Sequence, residues 1–156
     1  MTQETDLSEV PSRFDQLIRS VRVGILITMN DRGPFGSHVP FLLGENWSRL
    51  YIHISGLAQH TQNLKKDRRI SLFVTEPDEP QKNPLSLQRI NLQGEAQSLT
   101  EKDRAYQQVK ADYIRRFPQS KQMFGFADFF VAGFGAAYYA HGDKPTDWIH
   151  QKPEKK

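Results

Sequence analysis

The chain has no cysteine. Disulfides, thiolate nucleophiles and cysteine-bound metals are therefore excluded. Its five histidines include no HxH or HxxxH pair, so a zinc site built on paired imidazoles is not expected. No apolar run approaches the roughly 20 residues of a membrane span. The opening residues, MTQETDLSEV, are acidic and polar and do not read as a secretory signal. An excess of one charge is missing too. The formal net charge of +3 suits mild attraction to anions, but is too small to argue for nucleic acid. There is no internal repeat, and no low-complexity tract beyond the terminal KPEKK. A cytoplasmic protein is the expectation.

What the chain does have is enough apolar mass for one core. Leu, Ile, Val and Phe make up 39 of 156 residues, which argues against wholesale disorder. Residues 1–10 read as a flexible arm, 11–150 as one domain and 151–156 as a charged tail.

One stretch organises the rest, SRLYIHISGLAQHTQNLKKD at 48–67. Leu50, Ile52 and Ile54 alternate with Tyr51, His53 and Ser55, the period of a half-buried strand. Gly56 breaks the run, and from Leu57 the spacing becomes helical. A strand thus turns directly into a short helix. The first turn of a helix carries unpaired N–H groups and the positive end of the dipole, so it can hold a phosphate. Ser55, His60 and Thr61 would add donors beside it. The alternative is a plain strand–turn–helix in which Ser55 caps the helix.

Before this stretch, Pro11 opens a helix with Phe14, Leu17, Ile18 and Val21 as its buried stripe. RVGILITMN then reads as a largely buried strand, and Asn30-Asp31-Arg32-Gly33 as a turn. In PFGSHVPFLLG, Ser37 and His38 fall on opposite faces. Pro40 cannot donate to a ladder, so it marks an edge, a bulge or an interruption of pairing.

After it, RISLFVTE reads as another strand. PDEPQKNPLS is a loop, expected to be mobile and a candidate lid. In LQRINLQGEAQS, Arg89 lies on the polar face with Asn91 and Gln93, and Gln88 on the other. An arginine so placed can reach a phosphate or carboxylate; a solvated sheet face is the alternative. Thr100 and Asp103 resemble a capping box, starting a helix with Tyr106, Val109, Tyr113 and Phe117 as its stripe. The small residues of VAGFGAAY permit close approach of a neighbouring strand or a flat cofactor. The order of elements fits an α+β domain on a small antiparallel barrel.

Four pieces together resemble the FMN-binding split-barrel superfamily of pyridoxamine 5′-phosphate oxidase, and most closely its haem-utilisation branch. They are GSHVPFL at 36–42, YIHISGLAQHTQNL at 51–64 with DRRISLFV at 67–74, LQRINLQGEA at 87–96 and VAGFGAAY at 131–138. The resemblance implies a six-stranded antiparallel split β-barrel with flanking helices. It also implies a homodimer whose FMN sites lie at the interface. It carries cofactor contacts onto Ser37, His38, Ser55, His60, Thr61, Asn63, Gln88 and Arg89, with hydroxyls, helix start and arginine converging on one dianion.

Two departures accompany the resemblance. The stretch between Phe126 and Gly133 reads as contracted, with a short final strand. Haem-binding relatives supply an axial histidine from a C-terminal segment, where only His141 and His150 stand in this chain. His53 is expected on a sheet face against a partner. Three functions follow: an FMN-dependent oxidoreductase of unspecified small-molecule substrate, a haem-binding or haem-degrading protein, or a non-catalytic flavin binder. No catalytic acid or base can be named.

Overall fold

The computed structural model describes residues 10–44, 49–140 and 147–149. Helix α1 (Val10–Ser20) buries Phe14, Leu17 and Ile18 along one stripe, and Val21 packs against them just past its end. Strands β1 (Val23–Asn30) and β2 (Gly33–Pro40) form a hairpin in which Asn30 pairs with Gly33. Gly33 has φ 121°, a conformation glycine adopts without the Cβ penalty.

The ladder between β1 and β2 stops at Pro40. Phe41 donates its N–H to the Arg22 carbonyl at 3.1 Å. The next residues, β3 (Leu42–Leu43), pair with β4 (Arg49–Ser55) instead. The interruption expected at Pro40 is thus where the chain passes from one strand partner to another.

The remaining strands are β5 (Arg69–Thr75), β6 (Arg89–Leu99), β7 (Ala127–Ala140) and β8 (Asp147–Ile149). The sheet order is β2-β1-β5-β6-β7-β4-β3, with β8 on β7, and every pairing is antiparallel. Its two end strands, β2 and β3, are separated by one residue, so the sheet curls as a split barrel does. The expected count of six is corrected to eight among the described residues. The break at Pro40–Phe41 divides one expected strand into β2 and β3, and β8 adds to the C-terminal part of β7 at 137–139.

The contraction expected between Phe126 and Gly133 is also corrected. Residues 127–133 are the first half of β7, a 14-residue strand flanked there by β4 and β6. The small residues serve strand packing at one point. The β6–β7 register shifts between Gln93 and Gly94, and a Cβ on Gly94 would run into the Gly133 carbonyl.

Two cores result. The inner face of the sheet buries Leu26, Leu50, Ile52, Leu72, Ile90 and Leu92 with α1 and with Leu64 of α2 (Gln59–Lys66). On the outer face, α3 (Tyr106–Arg116) covers β4 and the start of β7, burying Tyr51, Val109, Tyr113, Phe117 and Phe129. Strand β4 is therefore buried on both faces, not one. In contrast, β1 is less buried than its composition suggests. Among the described residues nothing fully covers its outward side chains, and Val23 and Ile25 are 40% and 38% exposed.

The capping pair forms, with the Asp103 carboxylate accepting from the Thr100 N–H at 2.7 Å, but α3 begins three residues later at Tyr106. The 77–86 loop is fastened at both ends, unlike a free lid. Lys82 pairs with Glu76 at 3.4 Å, Glu76 accepts from the Gln88 N–H at 2.7 Å, and Asn83 caps a 3-10 turn at Pro84–Ser86. Among the described residues, no helix is long and apolar enough to cross a membrane.

Candidate functional site

The turn from β4 into α2 forms as the sequence pattern suggests, but its polar groups are largely spent on the fold. The Thr61 hydroxyl, fully buried, donates to the Ser55 carbonyl at 2.6 Å. Asn63 uses both ends of its amide, donating to the Thr28 hydroxyl at 3.0 Å and accepting from Gln59 at 2.8 Å. These bonds tie α2 to β1 and β4. The Ser55 hydroxyl accepts from the Leu57 N–H at 3.3 Å and does not cap the helix, whose N-cap is Ala58. His60 is the exception. Its Nε2 is shut from solvent without a hydrogen-bond partner among the described residues, and burial lowers its pKa.

A second polar region lies on the outer face that α3 leaves bare. Outward residues line up across neighbouring strands: His38 opposite Ile25, Ile25 opposite Phe73, Phe73 opposite Asn91, and Asn91 opposite Tyr138. A pocket of about 340 Å³ opens here, lined by Phe73, Arg89, Asn91, Gln93, Tyr138 and Ala140. That is within the usual range for small-molecule sites, roughly 300–1,000 Å³. Arg89 stands at its edge, its Nη1 donating to the Leu87 carbonyl at 2.9 Å and the Leu85 carbonyl at 3.3 Å. The fastened 77–88 loop therefore positions this cation.

Within one chain the expected site residues fall into separate groups. Ser55, His60, Thr61 and Asn63 gather at the start of α2. Arg89 and His38 share the bare outer face. Ser37 pairs with buried Leu26 and so turns inward. Gln88 turns away from the pocket too, its Oε1 accepting from the Tyr139 hydroxyl at 2.7 Å. Ser55 lies opposite Ala127 and Arg89 opposite Ala140, separated along β7 by about 40 Å of strand. The single convergent cluster therefore does not form in one copy. His141 and His150 lie outside the described residues.

Sequence reasoning missed Phe73, Tyr138, Asn91 and Gln93 as pocket residues. Period-two spacing could have found three of them, because the alternation that turns Arg89 outward also turns Asn91 and Gln93 outward, and sets Phe73 opposite buried Leu72. His53 also differs from expectation. It packs inside its own chain, 4.2 Å from the Phe124 ring, 4.5 Å from Phe129 and 5.5 Å from Tyr113. Burial lowers its pKa, against a smaller opposite effect from the Ala127 carbonyl. Burial likewise pushes the Tyr113 phenol up to about 12.

Residues 3–80 match the family model described as "Putative FMN-binding domain". The chain is 28% identical over 138 residues to the heme oxygenase HutZ of Vibrio cholerae serotype O1, covering 80% of this chain and 77% of that protein. Among solved structures, Campylobacter jejuni ChuZ superposes with a TM-score of 0.81 at 19% identity, over 96% of this chain but 62% of that one. A Clostridium acetobutylicum protein related to general stress protein 26, of the pyridoxinephosphate oxidase family, superposes at 0.68 with 14% identity, over 94% and 96%. These two structural likenesses establish the fold.

Proposed function

The chain belongs to the FMN-binding domain family on the split-barrel fold, and from that premise we propose that it binds FMN on the bare outer face of its sheet. The observation that carries the reading is the composition of the pocket. A flavin needs flat apolar contact, amide partners for its ring edge and a cation for its phosphate. Phe73 and Tyr138 offer the first, Asn91 and Gln93 the second, and Arg89 the third. When bound, FMN would supply electron transfer, and the reaction class is that of a flavin-dependent oxidoreductase. The chain's own residues would bind, orient and shield.

We further propose that two copies complete the site. Val23 and Ile25 leave apolar surface on this same outer face, which a second copy would cover. Such pairing would let the α2 start of one copy approach Arg89 of the other. Sedimentation of the FMN-bound protein as a dimer is the expected result; a monomer that holds FMN tightly would contradict it.

The test of the cofactor is a fluorescence titration with FMN and, separately, riboflavin, which lacks the phosphate. Saturable quenching by FMN, with riboflavin at least about tenfold weaker (about 1.4 kcal/mol), is expected. Absence of saturable flavin binding would overturn the reading. A second reading is haem binding, favoured by the 28% identity to the heme oxygenase HutZ. It requires a haem absorption band that is lost on His141→Ala or His150→Ala.

A further inference from the structure

Ser71 and Asn91 both face outward, on neighbouring strands of the bare face. The Ser71 Oγ lies 2.6 Å from the Asn91 Oδ1. That separation is ordinary for O–H···O and short for N–H···O. The hydroxyl therefore donates, and the amide oxygen is the end turned toward Ser71. The Nδ2 group, with two N–H donors, is then the end not engaged by Ser71. Asn91 lines that pocket beside Phe73 and Tyr138, with Arg89, a second donor, at its edge.

We propose that Asn91 is a specificity-determining residue, its amide fixed by Ser71 so that it offers donors and selects a planar ligand with a carbonyl edge. In a flavin that edge is the dione of the pyrimidine ring; this assignment rests on the reading of the pocket as the flavin site. A ligand offering an N–H there would meet a donor and leave both groups unpaired, a costly arrangement once water is excluded. Ser71 is a positioning residue, because it acts through the Asn91 amide.

The test compares wild type, Asn91→Asp and Ser71→Ala, each checked for folding by thermal melting. Asn91→Asp replaces the donor by an acceptor of the same shape and should weaken FMN about tenfold or more. It should also lower the midpoint potential of the bound flavin, because a carboxylate repels the electron-rich reduced ring. Ser71→Ala frees the amide to turn and should weaken FMN by about threefold, a smaller loss than removing the donor itself. If wild type binds FMN and both variants bind it equally well at unchanged potential, the proposal is wrong and the flavin reading stands. If wild type does not bind FMN, the flavin reading falls. The proposal is then decided by nitrogen-15 NMR of the Asn91 side-chain amide, assigned by its loss in Asn91→Asp. Two rapidly exchanging protons support a pocket-facing donor; one protected proton, held by Ser71, overturns it.

Discussion

The outer face of the sheet has two halves that share one construction and differ in what covers them. Over β4 and the start of β7, the outward side chains are Tyr51, His53, Phe129 and Val131, and α3 with the following turn seals them. Over β5, β6 and the end of β7, they are Ser71, Phe73, Arg89, Asn91, Gln93 and Tyr138, and among the described residues no helix lies on them. Coverage follows polarity at the amides and the guanidinium, while Phe73 and Tyr138 line the pocket between them. Aromatic outward positions gain from a helix, because burying such a ring stabilises the fold by a few kcal/mol. Amides and a guanidinium would lose water without gaining partners. The bare half is thus a surface that folding leaves partly exposed and that a ligand with complementary groups can use.

The contrast breaks most visibly at its two phenylalanines. Phe129→Ala, in the sealed half, should cost about 3–5 kcal/mol of stability in urea. Phe73→Ala, in the bare half, should cost under about 1 kcal/mol and act instead on FMN affinity. Equal losses of stability would erase the distinction. Gly94 lies between the halves, where β6 meets β7. Gly94→Ala must push the Gly133 carbonyl away and should destabilise by about 1–3 kcal/mol; an unchanged midpoint would mean the two strands separate freely there.

Arg89→Ala should leave the urea midpoint nearly unchanged and weaken FMN by more than about 1 kcal/mol, the scale of a lost charge-assisted contact. If the variant keeps full affinity, the cation belongs to the loop alone.

The smallest expected effect is on pH dependence. His53 in the sealed half and His60 at the start of α2 both have pKa values lowered by burial. Below the unfolded value of about 6.5, the unfolded chain takes up protons that the native chain does not, so stability falls as pH drops through that point. The decline ends once the native imidazoles also protonate. Urea midpoints at pH 7.5 and 5.5 should show the fall, and His53→Phe should reduce it. A midpoint independent of pH over that range would show that the sealed half admits a proton at no cost.

Much of this arrangement was legible in the sequence. The alternation in 50–55, the turn at Gly33, the interruption at Pro40 and the stripe Phe14-Leu17-Ile18 all follow from local periodicity and backbone chemistry. The full strand over residues 127–133 was not, because a run of aromatic, glycine and alanine residues has no clear period two. Its regularity comes from β4 and β6 on either side. The site was legible less fully. The polar strand face pointed to Arg89, which lines the pocket. Thr61 and Asn63 were assigned to a ligand, whereas their hydrogen bonds run to Ser55 and Thr28. A local pattern shows that a hydroxyl or amide is present, but its partner comes from a distant strand, as with the 35 positions between Thr28 and Asn63.

The central claim is that the bare half of the outer face is a flavin site. Its most direct test is equilibrium titration of the purified chain and its Arg89→Ala variant with FMN, followed by fluorescence, with haemin as the parallel ligand. Saturable FMN quenching in wild type, clearly weakened in Arg89→Ala, is the result this account requires. A haem band of full intensity, with no flavin quenching in either protein, would contradict it.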